Sequence, residues 1–363
     1  MSIEINFTGE DWERLERNWT AWWEGELERP LIILDTLDHF DMWASDFSLD
    51  VPVDEVLDYY QQHLESACFH GDAWPKWWPN FGAGIVAGFL GAKVHSATGT
   101  VWFEPRTKQS LRELRLTYEE GNVWWRRVRA LTDRAVERWD DRVCVAHTDL
   151  GGNLDILASL RSTQDLLFDL YDCPEAVARL SGEITQLWLR YYDELYEVIE
   201  GAGRGTTPWA AIWSPERCYM LQSDFAYMIS PEMFERFVLP DLAMCCERLE
   251  HGFYHLDGKG QIAHLDLLLS LERLRGIQWI PGDGQRPPEE WLPLLKRIRD
   301  GGKLCQLYVS PEGALTIARA IGGRGFAFAI DGPMSAQEAE DFIDLLAQED
   351  RFGWSRQQLG GQI

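Results

Sequence analysis

Short apolar runs that end in acidic or histidine residues recur along this chain, and they constrain its fold more than any other feature. The clearest run spans 252–258, where apolar residues lead into His255, Asp257 and a glycine. This pattern predicts a buried strand that presents two polar side chains on one face at its carboxyl end. A helical pattern over 262–269 and a second apolar run at 276–280 follow. The region is therefore predicted to form a strand–helix–strand unit.

Eight such runs are present, and the segments between them are mostly helical in pattern. The runs begin near residues 31, 101, 143, 209, 252, 277, 304 and 326. They predict an α/β fold, a single (β/α)8 TIM barrel over 1–363, with an N-terminal helical extension at 1–29 and long loops. An open doubly wound sheet is the alternative, although it would hold the polar residues of distant strands apart. The run at 101–104 could instead pair with 93–95 as a hairpin.

Charge and cysteine content limit the class of partner. The formal net charge of −25 argues against nucleic acid or an anionic membrane as a partner, because both select basic surfaces. The seven cysteines are scattered and odd in number, which favours a reducing compartment over a disulfide framework. The sequence shows neither a leader pattern nor an apolar run of about 18 residues. We expect a cytoplasmic protein that acts on a small-molecule substrate, with no membrane partner.

Polar residues at the ends of the predicted strands are the candidates for a site. On a barrel, the residues that follow each strand share one end and can converge there. They are Asp35, His147, Asp149, Asp224, His255, Asp257, Asp283 and Asp331. Two glycines at 151–152 would let the backbone approach a ligand beside His147 and Asp149. The alternative, that these two residues only cap the next helix, stays open.

Tryptophans supply further candidates, since the chain contains 18 of them. Large aromatic side chains most often fill a core, but those beside glycine, proline and polar residues can stack on a ligand. The segment 68–91, rich in glycine, proline and aromatic residues, is predicted to be a lid or pocket wall, with 72–84 lining the cavity. The predicted substrate-binding residues are Trp78, Asn80, Asp149, Asn153, Trp213 and Trp279.

Four motifs occur in an order that resembles the superfamily of uroporphyrinogen decarboxylase, cobalamin-independent methionine synthase and the corrinoid-dependent methyltransferases. They are Leu-Gln-Ser-Asp at 221–224, Ile-Ser-Pro-Glu-Met-Phe at 229–234, Leu-Pro at 239–240 and Tyr-His-Leu-Asp-Gly at 254–258. The resemblance is best over about 200–335 and implies a TIM barrel with one-carbon chemistry. Residues 31–40 lack the arginine-rich substrate motif of the decarboxylase branch, which favours the methyltransferase branch.

The resemblance also implies a metal site in which the ligands have changed. In the methyltransferases, a His-x-Cys motif and a distant cysteine together hold zinc. This chain keeps the histidine as His255, has Asp257 in the place of the first cysteine, and offers Asp331 as the nearest polar candidate for the second. Histidine with carboxylates suits zinc, manganese or iron acting on oxygen substrates rather than on thiols. The metal ligands implied are His255, Asp257 and Asp331, with zinc the first choice of divalent metal.

The function implied is one-carbon (methyl) transfer from a small oxygen-bearing substrate, linked to a corrinoid carried by a partner protein. Asp257, Asp224 and His147 would be the catalytic acid–base residues. One alternative is a decarboxylase or lyase on a small carboxylated substrate, in which Asp257 or Asp224 protonates a carbanion. Another is a sugar-acting or sugar-binding barrel, because tryptophans beside carboxylates suit a polar ring. A structural role, in which His255 and Asp257 only tie adjacent strands, also stays open.

Overall fold

The computed structural model describes residues 3–37, 42–332 and 334–359. These residues form a mixed α/β fold with eleven strands and thirteen α-helices. The strands are β1 Leu31–Asp35, β2 Phe69–Gly71, β3 Lys76–Trp77, β4 Lys93–Ala97, β5 Thr100–Glu104, β6 Cys144–Val145, β7 Cys218–Leu221, β8 His251–Asp257, β9 Leu274–Ile280, β10 Leu304–Val309 and β11 Phe326–Ile330.

The helices follow most of the strands in the chain, and those other than α1 pack in the larger of two apolar cores. They are α1 Gly9–Trp23, α2 Val53–Ser66, α3 Val86–Phe89, α4 Val123–Trp139, α5 Asn153–Arg161, α6 Thr163–Asp172, α7 Pro174–Glu200, α8 Pro231–Phe237, α9 Leu239–Arg248, α10 Leu265–Ser270, α11 Leu292–Asp300, α12 Pro311–Ile321 and α13 Ala336–Leu359. In the part of the chain that the structure describes, no helix is both long and apolar enough to cross a bilayer.

The central sheet has seven strands in the order β2-β1-β11-β10-β9-β8-β7. Every neighbouring pair is parallel except β1 and β2. β3 and β6 form a separate parallel pair, and β4 and β5 form an antiparallel hairpin. The apolar runs at 31, 252, 277, 304 and 326 are therefore strands of the main sheet, as the sequence predicts. The run at 143 supplies the short strand β6.

Two of the eight predicted runs join neither the main sheet nor the β3–β6 pair. The run at 101–104 pairs with β4 as a hairpin, which is the alternative that the sequence left open. The run at 209–213 lies in a bend between Thr206 and Ser214, which form an antiparallel bridge, and the strand in this part of the chain is β7. Trp209 and Trp213 lie in that bend.

Within the described residues, the main sheet and the β3–β6 pair are not joined by strand ladders into a closed ring. A tyrosine side chain bonds to the backbone just after β6 instead. The hydroxyl of Tyr219, on β7, accepts a hydrogen bond from Leu150 N (2.7 Å) and donates one to Thr148 O (3.3 Å). Tyr219 therefore links β7 to the segment after β6, where a ladder of backbone hydrogen bonds was expected.

Side chains alternate between two apolar cores across the strands. We call the helix-covered side the outer face, where Tyr254 and Ile277 pack in the larger core. We call the other side the inner face, where Met220 and Phe253 pack in a smaller core together with α1. The two faces decide which predicted site residues can meet.

Helix α1 accounts for the predicted N-terminal extension and covers the amino ends of the strands. Thr8 and Asp11 form its capping box. Trp22 donates its indole N–H to Phe326 O at the start of β11 (3.1 Å). Trp23 stacks on His251 at the start of β8, with ring centroids 4.1 Å apart. This end of the sheet is therefore filled by tryptophans, which leaves the carboxyl ends of the strands for a site.

We expect the Trp22→Ala variant to lose about 3–5 kcal/mol in its free energy of unfolding, because a fully buried indole leaves a cavity. Urea denaturation monitored by circular dichroism measures this loss. The matched control is Trp102→Ala, since Trp102 is 45% exposed on the hairpin, and its loss should stay below about 1 kcal/mol. Equal losses in the two variants would contradict the packing role of α1.

Candidate functional site

Asp224, His255 and Asp257 converge at the carboxyl ends of β7 and β8. Each offers one ligand atom, and these atoms all lie within 4.8 Å of one another. His255 and Asp257 are two residues apart on β8, so both side chains lie on its inner face. Asp224 begins the 3-10 helix Asp224–Met228, three residues after the end of β7. Since β7 and β8 are parallel neighbours, their carboxyl ends bring the three residues together. We call them the His255 cluster.

The imidazole of His255 is oriented by a chain of buried amides. Its Nδ1 is hydrogen-bonded to the Oε1 atom of Gln278, an acceptor, so Nδ1 donates to the buried amide and Nε2 is the ring nitrogen left for the site. Gln278 in turn donates its amide N–H to Gln306, and both glutamines are fully buried. Trp209 lies edge-on to the imidazole, with ring centroids 5.2 Å apart. This is how proteins orient a histidine that binds a metal or moves a proton.

Two further carboxyl groups lie beside Asp224. Asp155 accepts the backbone N–H groups of Asp224 (3.0 Å) and Phe225 (2.7 Å). Asp149 is buried and accepts hydrogen bonds from Gly151 N (2.9 Å) and the Gln222 amide (3.1 Å). Burial raises the pKa of both Asp149 and Asp155 to about 7, and the charge of Asp224 adds to both shifts. The site is therefore crowded with carboxyl groups that hold protons close to neutral pH.

The pKa of Asp224 is also raised. Partial loss of hydration is the main cause, and the carboxylate of Asp257 acts in the same direction, whereas His255 acts against it. Asp224 nevertheless remains exposed to solvent at the surface of the site. It can therefore exchange protons or ligands with the solution.

The donor set of the His255 cluster fits a divalent metal. One imidazole nitrogen and two carboxylate oxygens resemble the three protein ligands of catalytic zinc sites, which leave a fourth position open. With metal–ligand bonds of about 2.0–2.2 Å, tetrahedral ligands lie roughly 3.4 Å apart. The observed span of up to 4.8 Å would have to contract slightly around such an ion. A small adjustment of the exposed Asp224 side chain is enough for this.

Asp331, the third ligand implied by the resemblance, does not join the His255 cluster. It follows β11, which is separated from β8 by β9 and β10 in the sheet. Its backbone N–H donates to Val309 O (3.0 Å), and its carboxylate is exposed and acts electrostatically on Tyr308. Asp224, expected as an acid–base residue, takes the third place instead.

His147 lies on the outer face, away from the His255 cluster. It is fully buried and stacks on Tyr192 of α7, with ring centroids 4.4 Å apart. Its Nε2 lies 3.4 Å from Tyr192 O. Burial lowers the pKa of His147 to about 3, which keeps the ring neutral. His147 lies beyond the end of β6, and its contact with Tyr192 holds it on the side where Val145 packs in the outer core.

Three of the predicted substrate-binding residues have structural contacts instead. Trp213 lies on the side of α1, where its indole donates to Arg204 O (2.8 Å) and its carbonyl accepts from Trp23. Trp279 is fully buried on the outer face against Trp291. Asn153 is buried at the start of α5 and donates to Phe237 O (3.0 Å).

The remaining candidates from the predicted pocket wall are partly accessible. Trp78 and Asn80 are half-buried just after β3. The side chain of Asn80 accepts the N–H of Gly82 (2.9 Å), which shapes the turn at this point. Within 72–84, Trp74 and Trp77 are buried and β3 is a strand, so much of the segment is packed structure rather than a loop.

Sequence reasoning missed Asp155, Gln278 and Gln306. Asp155 has the pattern of an ordinary first-turn acid of a helix, and only its contact with the 224–228 turn gives it a place in the site. Gln278 and Gln306 are polar residues in the middle of apolar runs. A polar residue at an inner position of a buried strand is the signal that could have found them, since burying an amide requires a partner.

No protein-family model matches this chain, and no curated protein matches it either. Thirteen chains of solved structures match its fold. One of them is a methyltransferase from Methanosarcina mazei, which covers 93% of this chain, with 98% of its own length aligned. Its TM-score is 0.58 and its sequence identity is 11%. At that identity, the likeness establishes a similar fold.

The pKa of Asp149 predicts a pH dependence of stability. In the unfolded chain an aspartate titrates near 3.8, whereas burial raises the folded value to about 7. The folded state therefore binds the proton more tightly, and the contribution of Asp149 to the free energy of unfolding falls as pH rises between about 4 and 7. The Asp149→Asn variant keeps an acceptor oxygen and removes this contribution. The free energy of unfolding of Asp149→Asn minus that of wild type should therefore be larger at pH 8 than at pH 5.

Urea denaturation at the two pH values measures the difference. The control is Asp283→Asn in an exposed turn, which should change the free energy of unfolding by the same amount at both pH values. If Asp149→Asn also changed the free energy of unfolding equally at both pH values, the carboxyl group of Asp149 would not titrate between them.

Proposed function

We propose that this chain is a metal-dependent enzyme that transfers a methyl group from a small oxygen-bearing substrate. The observation that carries the proposal is the His255 cluster, whose histidine is oriented by Gln278. The similar fold of a methyltransferase supports it. We further propose that the chain is a divergent cytoplasmic member of the uroporphyrinogen decarboxylase and corrinoid methyltransferase superfamily, with its two parallel sheets forming a (β/α)8 barrel.

Each residue of the His255 cluster has a role in this proposal. His255 offers Nε2 and the carboxylates of Asp224 and Asp257 offer one oxygen each, with zinc the preferred ion. When bound, a divalent metal acts as a Lewis acid on the substrate oxygen to which the methyl group is attached. Gln278 holds the imidazole so that Nε2 is directed away from the buried amides. The open carboxyl ends of β7 and β8 give the substrate its access.

Asp224 takes one of two roles, and they differ in protonation. As a metal ligand it must be ionised, and the ion itself would lower its pKa. Without an ion, its raised pKa favours the protonated form, from which it can donate a proton to a departing oxygen. His255 and Asp257 are then acid–base residues rather than ligands.

The acceptor of the methyl group in this proposal is a corrinoid carried by a partner protein. This part follows from the resemblance of the 221–258 motifs to the corrinoid-dependent methyltransferases. The exposed position of Asp224 at the carboxyl ends of the strands is compatible with a second protein reaching the site.

A lyase acting on a small carboxylated substrate is the second candidate function. It is favoured by the raised pKa of Asp224, because a higher pKa favours the protonated carboxyl group, which can protonate a carbanion left by carboxylate loss. The sugar-binding alternative has less support, since Trp213 and Trp279, two tryptophans expected to stack on a ring, are buried in packing contacts.

The metal is tested by elemental analysis of the purified protein after dialysis against zinc. We expect near-stoichiometric zinc in wild type and loss of that zinc in His255→Ala, because the variant removes the only nitrogen ligand of the cluster. The matched control is His147→Phe, which removes another buried histidine but keeps an aromatic ring against Tyr192. That variant should retain its zinc. If the wild-type protein is free of metal and fully active, the residues of the His255 cluster act as acid–base groups and not as metal ligands.

The role of Gln278 is tested separately. Gln278→Met removes the partner of His255 Nδ1 with little change in volume, and we expect zinc affinity to fall about 10–100-fold. Competition with a chromophoric chelator measures the dissociation constant. Gln222→Met is the control, because Gln222 bonds Asp149 rather than a member of the cluster. Equal affinity in wild type and Gln278→Met would contradict the orienting role.

A further inference from the structure

Lys76 places an ammonium group on the inner face of β3. Its neighbour Trp77 packs in the outer core, so alternation directs Lys76 to the inner side. The Nζ atom lies 3.5 Å from Ala210 O, at the limit of a hydrogen bond, and 5.1 Å from the ring centroid of Trp74. Among the described residues, no carboxylate comes within ion-pair distance of Lys76 Nζ. Most of its hydrogen-bonding capacity is therefore unused.

Three consecutive residues connect Lys76 to the His255 cluster. Trp209 packs against His255, the carbonyl of Ala210 faces the Lys76 ammonium, and the N–H of Ala211 donates to the hydroxyl of Tyr308 (3.3 Å). Consecutive Cα atoms are about 3.8 Å apart, so Lys76 Nζ lies on the order of 10 Å from the His255 imidazole.

Tyr308 adds a second hydrogen-bond donor at the same place. Its hydroxyl oxygen accepts from Ala211 N. With that bond accepted, its own hydrogen is left to donate. Burial raises the pKa of Tyr308 to about 12, which keeps that hydrogen in place.

The ammonium and the hydroxyl together suit an anionic oxygen. Burial lowers the pKa of Lys76, while the nearby carboxylate of Asp35 acts against that shift. The Lys76 ammonium has one long hydrogen bond, to Ala210 O, and an incoming carboxylate would supply further acceptors through charge-assisted hydrogen bonds.

We propose that Lys76 and Tyr308 bind a carboxylate of the substrate, so that the substrate is a small organic acid whose other end meets the His255 cluster. The assignment of that other end to methyl transfer rests on the proposed function. The carboxylate site does not depend on the proposed function, because it is argued from the contacts of Lys76 and Tyr308 alone.

The test is calorimetric titration of the zinc-loaded protein with acetate, succinate and glutarate. We expect at least one of these acids to bind wild type, and about 10–100-fold weaker binding to Lys76→Met, because a charge-assisted hydrogen bond is lost. Lys76→Arg should recover part of the affinity. Pentane-1,5-diol, the neutral analogue of glutarate, should not distinguish wild type from Lys76→Met.

Three results would overturn the proposal. One is equal binding of the acids by wild type and Lys76→Met, and another is that none of the three acids binds wild type. The third is borohydride trapping of an adduct between Lys76 and 2-oxoglutarate, since that result makes Lys76 a nucleophile.

Zinc content separates this inference from the proposed function. Lys76→Met should keep the wild-type zinc stoichiometry, whereas His255→Ala should lose zinc and keep a Lys76-dependent affinity for the acid. Loss of zinc in Lys76→Met would show that the substitution disturbs the whole site and that the carboxylate assignment is unsupported.

Discussion

The site depends on the alternation of side chains along β8. Phe253 packs in the inner core beside α1, Tyr254 and Leu256 pack in the outer core, and His255 and Asp257 are left at the inner positions nearest the carboxyl end. A slip of one residue would turn the histidine and the acid into the helix layer. Packing in the two cores therefore fixes the register of β8 and with it the position of His255 and Asp257. The tryptophans of α1 stabilise the inner core.

Uncompensated negative charge is the second constraint on the site. Asp149 and Asp155 have raised pKa values because they are removed from water near the charge of Asp224, and the pKa of Asp224 is raised by partial loss of hydration and by Asp257. Such an arrangement costs free energy whenever the groups ionise, and a divalent cation is the ligand that offsets it most directly. Lys76 lies on the other side of the 209–211 bend, so the inner face has an acidic end and a basic end. A substrate with an anionic group and a polar oxygen would match both.

Buried amides orient the histidine of the His255 cluster. Gln278 bonds His255 and Gln306, and both glutamines are inaccessible to solvent. Because a buried amide must keep its partners, the network holds the imidazole of His255 in one position. A separate hydrogen bond supports the bend at 209–211 in place of a regular strand, since Ala211 N finds its acceptor in the Tyr308 hydroxyl.

The local pattern of the sequence was enough for the strands and for the pair His255 and Asp257. Apolar runs bounded by polar residues predicted β1, β8, β9, β10 and β11, because burial and alternation are local properties of a strand. The pattern could not decide which runs pair, so 101–104 became a hairpin and 209–213 a bend. Nor could it choose the third member of the cluster: Asp224 is there and Asp331 is not because β7 is the neighbour of β8 in the sheet. His147 reached the outer face for the same kind of reason, since a residue beyond the end of a two-residue strand takes its direction from the tertiary packing around Tyr192.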